Sequence, residues 1–375
     1  NAVLPGATIT AINTDTNALR TATTDERGRY TIPALPPGTY TITCELSGFG
    51  TDKSEVTLAL GEWRTLEFGL RVAGTTEEVR VTEAAPLVDI RNTAVSNVVS
   101  QDQIESLPIN GRNFISFSII TPGVTVDQTP QQGASATSGL TFGGQRARSN
   151  NITVDGLDNN DITLGSVRAT FSQEAVREFQ VLTNSYSAEF GKASGGVVNI
   201  VTKSGTNRTS GNLFAFFRDD GLNAKNYFEK FDPAGNPLSQ DKAPYGQKQW
   251  GGTLGGPIKR DKTFYFASFE RLDIDANNFV NIDNNTIVRH PITGAAIGTP
   301  VQIINNAGFV VQDGNQPYAV VTDSFLVKAD HQLKSGNSLT IRYNYGDNLN
   351  ENIEPFGGQV ARSRGAYLDS TANML

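Results

Sequence analysis

Apolar and polar positions alternate with period two through most of this chain, and one short segment carries a helical signal instead. Arg29-Tyr30-Thr31-Ile32 and Thr39-Tyr40-Thr41-Ile42-Thr43 put Tyr30 with Ile32, and Tyr40 with Ile42, on single faces, as half-buried strands do. Thr8-Ile9-Thr10-Ala11-Ile12 is a third such strand, and Asp25-Glu26-Arg27-Gly28 and Pro36-Pro37-Gly38 supply turns. Residues 1–72 thus predict a small β-sandwich. Residues 73–84 are polar around one extended core, Glu78-Val79-Arg80-Val81-Thr82, before Pro86. By pattern alone this is a linker or an edge strand of the preceding unit. An extended segment of this kind can also add to the edge of a partner's sheet.

From 85 to 207 the pattern predicts a compact α+β unit. Gln101 to Leu107 reads as a short helix stopped by Pro108. Asn151 to Leu157 reads as a strand entering an Asp155-Gly156 turn, and Glu178 to Leu182 and Val197 to Val201 are two more strands. Beyond 208 the strands grow longer and more aromatic: Gly211 to Arg218, Lys262 to Glu270, Asp323 to Asp330 and Ser338 to Tyr345. In the last, Leu339, Ile341, Tyr343 and Tyr345 share one face and Ser338, Thr340, Arg342 and Asn344 the other. Phe325, Val327 and Ala329 form the apolar side of their strand. Such alternation fits a soluble sandwich and a transmembrane barrel equally well. The stretch from about 271 to 320, rich in Asn and Gly, predicts a long loop.

Composition narrows the chemistry. Only 18% of the 375 residues are charged, the net charge is −7 and no basic stripe is visible, which argues against a nucleic-acid partner. The lone Cys44 cannot build a disulfide framework, and His290 and His331 are far apart in sequence, so zinc sites and Ser-His triads are poorly supplied. No cofactor or metal is expected. Asp155, Asp158 and Asp161 do not follow the order of an EF-hand loop, and turn formation explains them. Gly191-Lys192-Ala193-Ser194 lacks the earlier glycine of a phosphate loop, and the run Gly251-Gly252-Thr253-Leu254-Gly255-Gly256 lacks the following Lys-Ser/Thr. With no Gly-x-Ser-x-Gly elbow, no catalytic residue is nominated and an enzyme is not expected. No run of about 18 apolar residues occurs, an absence to which a β-barrel is indifferent.

Ordered motifs carry a resemblance. Asp25, Gly28, Tyr30, Ile32, Leu35, Pro37, Gly38, Tyr40, Ile42, Gly48 and Phe49 are spaced as in the carboxypeptidase-regulatory-like domain, a prealbumin-type, carbohydrate-binding-like sandwich. The usual opening strand before Pro5-Gly6-Ala7 is missing, which implies N-terminal truncation. Tyr30, Tyr40 and Phe49 could stack on a sugar, but their alternating positions read as core. Leu107-Pro108-Ile109-Asn110-Gly111-Arg112-Asn113-Phe114, Thr121-Pro122-Gly123-Val124, Val154-Asp155-Gly156-Leu157 and the run from Ser187 through Gly191, Gly195, Gly196 and Asn199 to Lys203 resemble the plug domain of TonB-dependent outer-membrane receptors. The order sandwich then plug is similar to the Oar-like branch. Thr183-Asn184-Ser185 departs from the Arg-Gly-Pro that the broader family often carries.

The resemblance implies a mainly β protein: sandwich over 1–72, linker with a TonB box at Glu78, Val79, Arg80, Val81 and Thr82 within 73–84, plug over 85–207, and the first strands of an outer-membrane barrel over 208–375. The 168 residues from 208 onward cannot close a plugged barrel of about 22 strands of roughly 10 residues, so a C-terminally truncated barrel of roughly five strands is expected. The implied function is import of an extracellular ligand, such as a glycan or peptide, energised by TonB and its inner-membrane complex. The implied place is the outer membrane, in contact with its lipid, with sandwich and TonB box in the periplasm. The alternative is a structural or adhesive outer-membrane protein without active transport.

Overall fold

The computed structural model describes residues 3–72, 80–81, 94–107, 112, 114–126, 139–146, 149–160, 167–168, 171–225, 227–231, 235, 237, 242–280, 286–309, 314–333, 337–353 and 366–374. Three large sheets follow one another along them. The first contains β1 (Thr8–Asn13), β2 (Leu19–Thr23), β3 (Gly38–Glu45), β4 (Asp52–Leu58) and β5 (Arg80–Val81), in the order β2-β1-β3-β4-β5. Register sets Ile9 opposite Cys44 and Ala11 opposite Ile42, and these residues with Ala7 and Tyr40 form the core. The strand expected at Arg29 to Ile32 joins no ladder. Pro33, Pro36 and Pro37 remove the N–H donors a strand there would need. Tyr30, Ile32 and Leu35 instead lie over the core beside Leu66, Phe68 and Leu70, and the Tyr30 hydroxyl donates to the Leu66 carbonyl at 3.1 Å. The second layer of this sandwich is therefore an irregular cover.

The central unit contains β6 (Val95–Val99), α1 (Gln101–Ser106), β7 (Val124–Val126), β8 (Leu140–Phe142), β9 (Asn151–Val154), β10 (Leu157–Asp158), β11 (Val176–Asn184) and β12 (Val197–Thr202). Its main sheet runs β10-β9-β12-β11-β6, with β9 and β12 parallel. The short helix that the sequence predicts here is α1; a capping box of Ser100 and Gln103 starts it, and Ile104 turns inward. The core includes Phe142, Ile152, Phe179, Val198 and Ile200, and also Phe266 and Leu326 from the third sheet. The two units thus share apolar packing.

The third sheet is an open antiparallel wall of six strands: β13 (Ser210–Asp219), β14 (Tyr245–Lys259), β15 (Thr263–Val280), β18 (Gly314–Gln332), β19 (Ser338–Ile353) and β20 (Ala366–Met374). A small hairpin, β16 (Val288–Arg289) with β17 (Ala296–Gly298), lies between β15 and β18. The sequence pattern does not reveal β14, because glycine is depleted in strands and the four glycines from Gly251 to Gly256 break the apolar alternation. The glycines have a steric cause: a Cβ on Gly251 would sit 2.2 Å from the Phe269 carbonyl oxygen. Leu339, Ile341 and Tyr343 are exposed on the outer face while Arg342 and Asn344 are buried on the inner one, as the alternation predicts. Phe325 is likewise outward.

About a third of the long loop expected over 271–320 belongs to the wall strands, since β15 runs on to Val280 and β18 begins at Gly314. The outer positions beyond Phe269 turn polar, with Arg271 paired to Asp323 at 2.8 Å, followed by Asp273, Asp275 and Asn277. Hydrophobic alternation stops there but backbone pairing does not. From Thr263 to Arg271 the strand measures about 27 Å at about 3.4 Å per residue. Tilted by about 40°, it would stand about 21 Å tall, close to the apolar band of an outer-membrane barrel at about 25 Å. No helix among the described residues is long and apolar enough to cross a membrane.

Candidate functional site: where the central unit meets the wall

Among the described residues, three polar contacts join the central unit to the inner face of the wall. The first centres on Asp155. Asp155 and Gly156 form the two-residue turn between β9 and β10 with φ of +48° and +83°, the left-handed pair that an Asp-Gly hairpin turn adopts. The turn aims the carboxylate at β12, where Thr202 donates its N–H to Oδ1 at 2.9 Å and its hydroxyl to Oδ2 at 2.6 Å. From β19, Arg342 Nη1 donates to Oδ2 at 2.6 Å. From β18, Lys328 Nζ lies 3.6 Å from Oδ2 and donates to the Thr202 hydroxyl at 3.2 Å. The cationic side chains are 5% and 7% exposed, so they are nearly dry and depend on this carboxylate for compensation. Burial pushes the Asp155 carboxyl up, but Lys328, the two Thr202 donors and Arg342 outweigh it and hold it below its ordinary value.

The second contact is a relay along the wall. The Tyr245 hydroxyl donates to Gln247 at 2.6 Å, Gln247 to Gln249 at 3.3 Å, and Gln249 to Glu270 Oε1 at 2.6 Å. Ser172 of the central unit donates to the other oxygen of Glu270 at 2.5 Å. The third contact centres on Arg112, which pairs with Glu174 and stacks over Phe214 and Phe216 of β13, its guanidinium carbon 4.5 and 4.7 Å from the ring centroids. Asn212 of β13 donates to Glu174 Oε2 at 2.6 Å. Arg112→Lys keeps the charge but loses the planar fork and the stacking, and is expected to weaken this contact by about 1–2 kcal/mol. Faster hydrogen exchange of the segment around Ser172 to Val176 checks it, and unchanged exchange contradicts it.

The residues singled out by sequence divide in two. Arg112 and Asp155 reach the wall. Gly156 makes the turn, Gly195 and Gly196 are buried inside the central unit, Asn199 is half-buried and Gly191 is exposed. Gly191 accepts from Asn151 at 2.7 Å, and Asn199 from the Thr153 hydroxyl at 3.0 Å. A Cβ on Gly195 would fall 2.4 Å from Asn150 Oδ1, and one on Gly196 would fall 2.1 Å from Phe142 Cδ1. Asn110, Gly111 and Asn113 lie outside the described residues, as do Glu78, Val79 and Thr82. Arg80 and Val81 pair with β4 as an edge strand of the first sheet, one of the two readings open from pattern alone. Asp158 spends its carboxylate on Asn160 and Lys192. Sequence reasoning missed Ser172, Glu174, Glu270 and Lys328, and placed Arg342 on the inner face without its partner. For Glu270 and Lys328 the available signal was a charge on the same strand face as an apolar residue, Phe266 for the one and Leu326 for the other; Ser172 and Glu174, at a short helical turn, carried none.

Residues 89–198, which hold Arg112, Asp155 and the inner glycines, match the family described as TonB-dependent Receptor Plug Domain. Residues 201–288 match an outer membrane beta barrel domain, and residues 1–71 a carboxypeptidase regulatory-like domain. The chain belongs to the TonB-dependent receptors. It is 30% identical over 270 residues to the TonB-dependent transporter Oar of Myxococcus xanthus, a match covering 70% of this chain and 24% of that one. The chain thus spans about a quarter of the length of this curated relative. Among solved structures it is similar to the outer membrane transporter YddB from Escherichia coli, with a TM-score of 0.46 at 15% identity over 68% of this chain and 33% of that one. It is also similar to the siderophore receptor PirA from Acinetobacter baumannii, with a TM-score of 0.37 at 19% identity over 74% and 43%. The central unit is the receptor's plug, and the six strands belong to its barrel. The receptor resides in the outer membrane of a Gram-negative-type bacterium.

Proposed function

We propose that this receptor binds an extracellular ligand and imports it through its plugged barrel with energy delivered by TonB. The coupling strand in this reading is Glu78, Val79, Arg80, Val81 and Thr82, inside a 73–84 linker between a periplasmic sandwich (1–72) and the plug (85–207). The barrel occupies 208–375. The observation that supports the reading best is the chemistry of the plug–wall contact. A permanent stopper would be served as well or better by apolar packing, because buried ion pairs add little net stability over it. Charged and hydrogen-bonding groups such as Asp155, Arg342, Glu270 and Ser172 can instead part into a wet lumen and rejoin. The ligand would be a glycan, a peptide or another solute scarce enough to warrant energised uptake.

A peptide spanning residues 72–90 is expected to bind the periplasmic C-terminal domain of TonB. The same peptide carrying Val79→Pro should lose that binding, since proline removes an N–H donor from the added strand. No binding of the parent peptide at high micromolar concentration overturns the coupling assignment. It would move forward the structural or adhesive reading, which the exposed Ile287, Ile292, Ile297 and Phe309 between β15 and β18 favour.

A further inference from the structure

We propose that the β4 edge of the sandwich is a docking edge for the receptor's own coupling strand, so that sandwich and TonB compete for it. The inference rests on the reading of Glu78 to Thr82 as that strand. Its described part, Arg80–Val81, pairs in parallel with Lys53 and Ser54. Parallel neighbours cannot be joined by a tight turn, so the chain has to travel back along β4 before it can run beside it. The fold contains that return path. After Leu58 the chain crosses the sheet as part of its cover, with Leu66, Phe68 and Leu70 over the core. Gly69 then donates its N–H to Asp52 Oδ2 at 3.0 Å, Gly50 donates to the Arg71 carbonyl at 2.8 Å, and Val72 bridges Phe49. Residues 69–72 are thereby held at the start of β4, the one place from which a following strand can run in its direction.

The opposite edge of β4 is taken by β3 over its whole length, from Leu58 opposite Gly38 to Asp52 opposite Cys44. A strand can therefore add only on the outer side. The sandwich that offers this edge is itself fixed. The Leu60 N–H donates to Glu178 of β11, Asn17 donates to Asp261 of the β14–β15 turn at 2.8 Å, and Asn207 donates its N–H to the Asp15 carbonyl at 2.9 Å. A strand tethered to a fixed edge meets it at a high effective concentration, against which a partner in solution has to compete. While the strand stays on β4, a pull on it is taken up by the sandwich and its contacts instead of by the plug. Release from β4 is then a step that precedes opening.

The test is a disulfide trap in the intact receptor. Neighbouring positions on paired strands lie within the Cα separation of about 4.4–6.8 Å that a disulfide needs. Lys53→Cys with Arg80→Cys should cross-link on oxidation, whereas the off-register control Thr57→Cys with Arg80→Cys should not. Capture of the oxidised K53C/R80C receptor on immobilised TonB periplasmic domain should fall at least tenfold and return on reduction. Absence of the cross-link, or equal capture of oxidised and reduced receptor, overturns the proposal. Failure of the free 72–90 peptide to bind TonB overturns the coupling assignment instead, and a register-specific cross-link would still assign the edge.

Discussion

Asp155→Ala is expected to unseat the plug from the wall. Removing the carboxylate leaves Lys328 and Arg342 buried without a counter-charge, and breaking a buried pair from one side costs about 3–5 kcal/mol. The loss should appear as faster hydrogen exchange through β9 and β12, starting at the Thr202 amide that Asp155 accepts from. Asp155→Asn keeps an acceptor for that amide but not the charge, and should fall between the two. Adding Lys328→Met and Arg342→Leu to Asp155→Ala should recover much of the loss, because the stranded charges go with it. Exchange in Asp155→Ala identical to the parent would show that the contact holds nothing. The pH dependence has a fixed sign. The folded-state carboxyl sits below its ordinary value, so its stabilisation is complete above the usual carboxylate range and is lost as pH falls through the lowered value. Protection of Thr202 should be flat from neutral pH down to about 4 and decline only below it.

Gly205→Ala should have the next largest effect, on assembly. Gly205 lies between β12 and β13, where the chain leaves the plug and enters the wall. A Cβ there would stand 2.3 Å from the Tyr265 carbonyl oxygen and 2.7 Å from that of Gly256. Both are backbone atoms of paired strands, so no side-chain rotation relieves the clash. Overpacking of this kind costs about 1–3 kcal/mol and occasionally more. A shift would also disturb Asn207, which ties the wall to the sandwich through Asp15 and Asp261. The yield of folded receptor in outer membranes should drop sharply for Gly205→Ala and stay normal for an exposed alternative such as Gly69→Ala, where nothing lies within 4 Å and the backbone is not left-handed. Equal yields would contradict the steric account.

How far the sequence was legible depended on whether neighbours or pattern decide an element. α1 was readable because Ser100, Gln103, Ile104 and Pro108 all act locally. β19 was readable because lipid on one side and plug on the other force strict alternation. β14 was hidden, since its glycines answer to Phe269 and Asn212, residues distant in the chain. The upper halves of β15 and β18 were hidden for a different reason: where water wets the outer face, pairing survives without hydrophobic contrast. At the site, Asp155 stood out by its turn, but Lys328 and Arg342 come from strands more than 170 residues downstream and became its partners only through the register of β18 with β19.

The strand order of the plug has a mechanical corollary. β6 is the first described strand of the plug and lies at the rim of its sheet, paired among the described residues only with β11, from Val95 beside Asn184 to Val99 beside Phe179. Asp155 sits at the far rim, between β9 and β10. Tension entering at Val95 would therefore strip one short ribbon while the opposite flank stays riveted, so the plug would yield like a hinged hatch, torn open on one side, and not like a cork drawn whole.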